Sequence, residues 1–394
     1  MNIGYKSKNY FFLILFCLTT CIIACDNDYQ SLENSTKYEF VLVDSIQINV
    51  PIEPHFVEQK PSNDKVLLFS RFNSTFYVID KQGNALLELK RVGEGPGYYN
   101  SSVYQAGLHN EHLVIQDLKK IYTYDLKGQF VKDQAYQPTH YYTSAGNISN
   151  GLKFLQDSLI MYPLSFTGVV TFNPNKVATI DTIKTVEIIN ANNGQIYDSL
   201  LAIRFEEESI YKQGLIYPTF RPSIEFSKKN TLLVAYPNEE LLYEYAITKN
   251  RLELKKKIEF KLDQFKSPRG LKEEDMVGPI DPNLNRNARL NSIIRAIFTT
   301  ENDEVFILYT TGIPDKYASE EALGEYSNES KVLGGLIKDG KLISSSIEIP
   351  NNGFNKVNSQ QIIYWGDNKW AILQDNEKER EYYRLYIYRL IPSI

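Results

Sequence analysis

A repeat in the first half of the chain constrains its fold more than any other feature. The segment FYVIDKQGNALLEL at Phe76–Leu89 aligns without gaps with IYTYDLKGQFVKDQ at Ile121–Gln134, 45 residues further on. Both segments carry an aromatic-x-x-Asp-x-x-Gly turn, followed by a strand in which apolar and polar residues alternate. A four-stranded blade of a β-propeller occupies this period. The repeat therefore predicts an all-β propeller.

Extending the repeat along the chain predicts six blades of four antiparallel strands, which we count outward from a central channel. The predicted blades are His55–Lys90, Ser102–Gln134, Leu152–Val186, Ser223–Phe260, Ile293–Ile349 and Ile362–Leu390. The pattern is faint in blade three, whose third and fourth strands are assigned to Val169–Phe172 and Ala178–Val186. The 28 tyrosines and 20 phenylalanines of the chain favour strands over helices.

Only three strands can be assigned to the sixth blade. One alternating strand, Tyr38–Val50, precedes the first blade and belongs to none of the six. An unpaired edge would expose backbone donors and acceptors. We therefore expect Tyr38–Val50 to close the ring as the outer strand of the last blade, so that residues 38–394 form the propeller. A two-sheet sandwich or two smaller β domains remain alternatives, although the repeat fits them poorly.

The N-terminus has the order of regions found in a secretory signal peptide. Lys6 and Lys8 precede an apolar run at Tyr10–Leu18, which is too short to span a bilayer as a helix. Ile22-Ile23-Ala24-Cys25 then resembles the bacterial lipobox, which implies cleavage after residue 24 and acylation of Cys25. An ordinary signal peptide with a chance cysteine is the alternative. Residues 25–37 are polar and are predicted to form a flexible tether.

The cysteines and the net charge indicate how the mature chain is stabilised and which partners it can bind. Cys17 and Cys21 fall within the predicted signal peptide, so the mature chain keeps only Cys25 and can form no internal disulfide. The net charge is −5 with scattered lysines and arginines, which argues against nucleic acid as a partner. We expect an exported protein, held at the cell envelope by its lipid, with the outer membrane as its predicted location.

A second motif follows the first repeat, Gly93-Glu94-Gly95-Pro96-Gly97-Tyr98. With the aromatic-x-x-Asp-x-x-Gly turn, it resembles the six-bladed, NHL-like or TolB-like propeller lipoproteins of Bacteroidota, which carry GxGPGE(F/Y) between their first blades. Tyr98 stands where that family often has an acid. The resemblance spans Tyr38–Ile394 and is sharp in blades one and two. It implies a fold and a compartment but no activity.

The predicted long connections all fall on one face of the ring. They join second to third strands or one blade to the next, and they are Arg91–Ser101, Ala135–Gly151, Glu187–Phe220, Lys261–Ala288 and Thr311–Glu329. We call this the looped face, and we call the opposite face, where the connections are short, the short-turn face. Long loops on a rigid scaffold commonly build a binding surface. Loops that merely cover the channel are the alternative.

Eight residues on the looped face or at the channel mouth are candidates for ligand contacts. Guanidinium groups suit carboxylates, sulfates and phosphates, and aromatic rings suit sugar faces or peptide side chains. The candidates are Arg71, Tyr98, Tyr99, Arg204, Tyr217, Arg221, Arg286 and Arg289. For each arginine the alternative is a solvated charge or a structural pair.

The sequence supplies no convincing catalytic, metal or cofactor site. His109-Asn110-Glu111-His112 lies in a predicted short turn, whereas zinc requires three or four convergent ligands. The acidic runs Glu206–Glu208 and Glu273–Asp275 fit solvated loops better than a paired catalytic set. Nucleophile-elbow, phosphate-loop and dinucleotide motifs do not occur. We therefore predict no catalytic residues, no metal and no cofactor.

These observations favour a lipid-anchored binding or interaction module that contacts an envelope protein, a glycan or a peptide through the looped face. One alternative is a propeller enzyme acting on a polysaccharide as a glycosidase or lyase, which requires two carboxylates roughly 5–10 Å apart at the channel mouth. Another is a structural envelope subunit, which requires an exposed apolar patch on the looped face.

Overall fold

The computed structural model describes most of the chain from residue 36 onward. The described residues are 36–50, 53–58, 61–101, 103, 105–117, 119–136, 151–156, 159–163, 184–196, 203–248, 251–277, 281–352, 357–374 and 382–393. The propeller unit begins at Lys37. The predicted signal peptide, Cys25 and nearly all of the predicted tether lie outside the described residues.

Strands dominate the described chain. They are β1 Tyr38–Ile48, β2 His55–Phe56, β3 Lys65–Ser70, β4 Thr75–Asp80, β5 Ala85–Leu89, β6 Gln105–His109, β7 His112–Gln116, β8 Lys120–Asp125, β9 Phe130–Ala135, β10 Lys153–Gln156, β11 Leu159–Pro163, β12 Val186–Asn190, β13 Ser223–Phe226, β14 Leu232–Ala235, β15 Leu241–Ile247, β16 Leu252–Glu259, β17 Ile293–Thr299, β18 Val305–Thr310, β19 Val332–Lys338, β20 Lys341–Glu348, β21 Ile362–Gly366, β22 Lys369–Leu373 and β23 Tyr383–Pro392.

Helices are short and lie in the connections. The α-helix α1 spans Pro282–Leu290, and 3₁₀ helices span Ile210–Lys212, Glu273–Asp275, Asp315–Tyr317 and Leu323–Glu329. None of the helices in the described part of the chain has the length and apolar character needed to cross a membrane.

Within the described residues the strands form six antiparallel sheets, which confirms the predicted propeller. The sheets are β2–β5, β6–β9, β10–β12, β13–β16, β17–β20, and β21–β23 completed by β1. Five have four strands, and the sheet of blade three has three among the described residues. The innermost strand β17 contacts the innermost strands β13 and β21, as expected around a common axis.

The repeated Asp-x-x-Gly motif builds the turn between the third and fourth strands. Asp80 Oδ1 accepts hydrogen bonds from the backbone N–H groups of Gln82 at 2.9 Å and Asn84 at 2.8 Å. Asp125 repeats this contact one blade later, with Lys127 N at 2.9 Å and Gln129 N at 2.8 Å. A short carboxylate side chain that caps its own turn sets the hairpin locally. This chemistry explains why the repeat is visible in the sequence.

In blades two and six the turns between first and second strands are tight two-residue hairpins on the short-turn face. Asn110 and Glu111 have φ values of 45° and 59°, and Asp367 and Asn368 have values of 54° and 56°. Positive φ at both central residues is the signature of the type I′ turn, whose twist matches that of the paired strands. The turns therefore hold neighbouring strands in register without long loops.

Alternate residues of each strand pack against opposite neighbouring blades. In β3, Leu67 packs with Ile115 of blade two, whereas Leu68 packs with Ile363 of blade six. Apolar cores of this kind lie between successive blades and replace a single central core. The continuous apolar runs seen in the second strands follow from burial on both sheet faces.

The strand β1 closes the ring, as predicted. It pairs antiparallel with β23, from Tyr38 opposite Pro392 to Ile48 opposite Tyr383, and forms the outer strand of blade six. At one end Phe40 meets the rings of Phe306 and Trp370 edge-on, with centroids 6.0 Å apart in both pairs. At the other end Ile48 is fully buried in the core shared by blades six and one.

The sequence-based assignment of blade three was wrong in its outer half. The third strand is β12, which pairs with β11 from Val186 opposite Pro163 to Asn190 opposite Leu159. After a turn at residues 191–193, Ile196 bridges back to Ile189, and Ile203 bridges back to Val186. The predicted third strand Val169–Phe172 lies outside the described residues. The predicted connection Glu187–Phe220 therefore contains most of β12 and these two bridged residues.

Truncating Ile48 tests the role of β1 in closing the ring. Ile48→Ala removes buried methyl groups from the core between blades six and one, so we expect the free energy of unfolding to fall by about 2–5 kcal/mol. Urea unfolding followed by tryptophan fluorescence measures this loss. Leu42→Ala, on an exposed side chain of the same strand, is the matched control and should change stability by less than about 0.5 kcal/mol. Equal effects of the two substitutions would contradict the closure.

Candidate functional site

The connection that leads into blade five and the connection between the second and third strands of that blade pack together on the looped face. Helix α1 has Asp281 as its N-terminal capping residue, whose Oδ1 accepts from Asn283 N at 2.7 Å, and the helix ends at Leu290. Leu290 packs with Ile313 and Leu323 in a small buried cluster. We call this arrangement, residues 281–292 with residues 311–331, the cap.

Charged residues tie the cap to the preceding connection. Asp315 accepts from Lys266 Nζ at 3.1 Å and from Arg269 Nη2 at 2.7 Å. The Lys266 contact is the main reason that the pKa of Asp315 lies below its usual value. The cap is therefore an ordered element in the described chain, not a loose loop.

The predicted candidates Arg286 and Arg289 belong to the cap. Arg286 Nη1 donates to the carbonyl of Glu320 at 2.9 Å, which joins α1 to the second half of the cap. The Arg289 guanidinium lies directly against Gly324, where a Cβ would come within 2.6 Å of Nη1. Arg286 thus joins the two halves of the cap, whereas the exposed Arg289 lies beside the second half of the cap and stays a candidate for ligand contact.

The glycine-rich motif joins blade one to blade two, and only part of it faces solvent. Tyr99 is fully buried, and its hydroxyl donates to the carbonyls of Ser74 at 2.7 Å and Leu89 at 3.2 Å. Burial raises the pKa of Tyr99 to about 12. Gly97 has φ +72°, and a Cβ there would meet the Phe130 ring at 2.8 Å. Of the predicted pair, Tyr98 alone is exposed, at 43 %.

Aromatic residues hold the connection between blades three and four. Tyr217 is buried against Tyr211, with ring centroids 5.3 Å apart in an edge-on arrangement. The buried Glu239 accepts from Ser209 Oγ at 2.5 Å, Ile210 N at 2.8 Å and Tyr243 Oη at 3.0 Å. Burial raises the pKa of Glu239 despite these hydrogen bonds. The candidate Tyr217 is therefore part of the packing.

A polar residue stands at the start of the innermost strand of every blade, at the looped end of that strand. Four of these residues open their strands, and two lie immediately before them. They are His55, Gln105, Lys153, Ser223, Ser292 and Gln361. We call this set the axial ring. By the topology of the sheets, the axial ring therefore lies where the six innermost strands begin, around the looped end of the channel.

Arg71 and His55 form one side of this mouth. Arg71 Nη2 donates to Gln360 Oε1 at 2.6 Å, which links blade one to blade six. Burial, and then the positive charge of Arg71, lower the pKa of His55 from 6.5 to about 4. The imidazole is therefore neutral at physiological pH, and its buried Nδ1 has no hydrogen-bond partner among the described residues.

An ion pair crosses the opposite side of the mouth. Lys153 Nζ lies 2.8 Å from Glu225 Oε2, and both side chains are buried. This pair joins the innermost strands of blades three and four. Glu58, on blade one, accepts from the backbone N–H of Leu108 at 3.2 Å. Both carboxylates are thus engaged by groups of the protein.

Two further arginines are enclosed by the ring of blades. Arg221, a predicted candidate, lies two residues before β13, and burial lowers its pKa to about 10. Arg295 was not predicted. It is the third residue of β17, in the otherwise apolar strand IIRAIFT, and a charged residue in such an innermost strand is the signal that would have found it. The candidate Arg204 is half-buried beside the core residue Phe205, away from these two positions in the chain.

Two cavities bounded by described residues lie on the short-turn face. One, of about 560 Å³, separates blades four and five, with Leu233 and Ile258 in its wall and Lys229, Glu244 and Asp303 among its charged residues. The other, of about 330 Å³, is lined by turns of blades one, four, five and six. Within the described chain no group of three or more His, Cys, Asp and Glu side chains could hold a metal ion.

Six sheets closed by β1 around a common axis define a six-bladed β-propeller. A family model described as a six-bladed β-propeller, DUF5128, matches residues 57–312, so the chain belongs to the DUF5128 family. The resemblance to NHL-like and TolB-like propellers is confirmed at the level of the fold. No curated protein matches the chain in sequence.

Solved structures support the same fold. A DUF4221 family member from Bacteroides vulgatus superimposes with a TM-score of 0.65 at 10 % identity, covering 91 % of this chain and all of that one. A Bacteroides fragilis protein whose name describes it as exported gives a TM-score of 0.53 at 12 % identity, covering 92 % of this chain and 97 % of that one. Identities this low bear on the fold alone.

The lowered pKa of His55 predicts that the folded state loses stability in acid. The folded state resists protonation down to about pH 4, whereas the unfolded chain takes up the proton near pH 6.5. The contribution of His55 is therefore fully present above pH 6.5 and is lost progressively as the pH falls toward 4. Urea midpoints of the wild type and of His55→Gln, measured across this window, should show a weaker acid loss in the variant. His112→Gln, in an exposed turn, should keep the wild-type slope, and an unchanged slope in His55→Gln would contradict the assignment.

Proposed function

We propose that this protein is an exported binding module whose looped face and axial mouth receive a ligand from the cell envelope. The observation that carries the proposal is the axial ring, with Arg71 hydrogen-bonded to Gln360 beside it and Arg221 two residues before Ser223. These residues lie on the face that also carries the cap. Polar groups placed on a rigid scaffold recognise ligands without large rearrangement on binding.

The state of the carboxylates supports binding over hydrolysis. Glycoside hydrolysis requires two carboxyl groups, one acting as an acid and the other as a base or nucleophile. Glu58, two residues after β2, accepts from a backbone N–H group, and Glu225, on β13, is paired with Lys153. A carboxylate fixed in an ion pair is a poor proton donor at neutral pH.

Export and a lipid anchor at Cys25 complete the proposal. The apolar run and the Ile22-Ile23-Ala24-Cys25 motif support both, and the exported Bacteroides fragilis protein of similar fold is consistent with export. A lipid at Cys25 would place a ring-shaped domain at the membrane surface on a tether of about a dozen residues.

Loss of the anchor should release the protein. Cys25→Ala removes the thiol that would carry the acyl chains, so the full chain should move from the membrane fraction to the soluble fraction of cells. Cys21→Ala, within the apolar leader, is the matched control and should stay with the membranes. Immunoblots of the two fractions measure the distribution. Retention of Cys25→Ala in the membranes would overturn the anchor.

Binding through the looped face is tested with an array of acidic and neutral glycans and peptides. The full chain, purified in detergent, should bind a subset, and Arg71→Gln should weaken that binding by about tenfold because one charged contact is worth about 1.4 kcal/mol or more. Lys127→Gln, in an exposed turn on the short-turn face, should change affinity by less than about twofold. Stronger loss in Lys127→Gln than in Arg71→Gln would place binding on the other face.

A further inference from the structure

Arg295 sits where water reaches the interior of the ring. It lies on β17, the innermost strand of blade five, whose other residues are all buried, yet the side chain of Arg295 is exposed. The strand has β13 and β21 as innermost neighbours and β18 as its outer partner. The remaining open direction is the axis, so the exposure of Arg295 reports a water-accessible channel.

A β-bulge explains how the side chain reaches the channel. The pairing of β17 with β18 shifts register between Ile294 and Ala296, which leaves Arg295 out of the ladder. An extra residue at a bulge re-aims its side chain relative to the regular alternation of the strand. Arg295 is thereby directed away from the two apolar blade interfaces that Ile294 and Ala296 help to build.

Arg295 has no hydrogen-bond or ion-pair partner in the part of the chain that the structure describes. The channel cation Lys153, by contrast, is matched by Glu225, and Arg71 donates to Gln360. Enclosure by the blades also desolvates the Arg295 guanidinium and lowers its pKa. A charge that is partly stripped of water and lacks a counter-charge is costly, and a bound anion offsets that cost.

We propose that Arg295 forms an oxyanion-binding site inside the axial channel, for the carboxylate, sulfate or phosphate group of a small ligand entering from the looped face. The guanidinium fork matches the geometry of such groups. The axial ring lies close to it, since Ser223 Oγ accepts from Ile297 N, two residues beyond Arg295. This inference rests on the proposed binding function and specifies its ligand class.

Labelling of the wild-type chain tests the site without a variant. Phenylglyoxal modifies accessible arginines, and mass spectrometry of peptides reads each position separately. Sodium sulfate should slow modification of Arg295 several-fold relative to sodium chloride at equal ionic strength. Arg251, an exposed arginine paired with Glu253 in a turn of blade four, is the control and should react at equal rates in both salts. Equal protection of both arginines by sulfate, or protection of neither, would overturn the proposal.

Calorimetry then separates the two sources of the anion. D-glucuronate that binds more tightly than sulfate, with D-glucose not binding, indicates an organic carboxylate, whereas sulfate or phosphate alone indicates an inorganic anion. Arg295→Gln should weaken either binding at least tenfold, and Arg295→Lys should retain part of it because the charge remains. Unchanged affinity of Arg295→Gln for these anions would contradict the proposed site. If Arg295→Gln does not fold, the labelling of the wild type and the anion affinity of Arg295→Lys test the site instead.

The array experiment on the looped face distinguishes this site from the wider proposal. Array binding that is sensitive to Arg71→Gln but insensitive to Arg295→Gln and to sulfate would leave the binding module standing and remove the anion site. Protection of Arg295 by sulfate without any binding on the array would support the anion site and contradict the wider binding proposal.

Discussion

The pairing of β1 with β23 is the constraint on which the rest of the structure depends. Each blade buries apolar side chains on both faces, so every blade needs two neighbours, and a ring of blades has neighbours everywhere only when it is closed. The strand β1 supplies this closure twice, since Phe40 packs toward blade five and Ile48 toward blade one. The ends of the chain thus meet in one sheet, and the channel mouth keeps a fixed geometry.

Local turn chemistry decided how much of this fold could be predicted. Asp80 and Asp125 cap turns of the same length, so their blades are recognisable from spacing alone. In blade three Asn190 performs the same role, with Asn190 Oδ1 accepting from Asn192 N at 2.8 Å, but Gly194 comes one residue later. That single insertion hides the repeat, so the sequence analysis assigned the third strand to the apolar segment Val169–Phe172. The misassignment follows from turn length, since β12 is itself a strong strand sequence.

The candidate site was harder to predict because the same residue types serve packing and recognition. Tyr99 and Tyr217 were chosen for their aromatic rings, and both rings are used to hold connections onto the sheets. Arg286 binds a carbonyl of the cap, as arginines near irregular backbone often do. Residue type and loop position cannot separate these roles, because the difference lies in which backbone carbonyls come within reach after folding.

Arg295 shows the opposite case, in which burial and charge conflict inside one short strand. The strand IIRAIFT is apolar except at this position, and a lone guanidinium would destabilise a closed apolar interface. The bulge eases the conflict because it takes Arg295 out of the ladder between β17 and β18, away from the two apolar interfaces. The blade interfaces then stay dry on both sides of the strand. A propeller can therefore keep a cation near its axis because the channel, unlike the space between blades, remains open to solvent and to ligands.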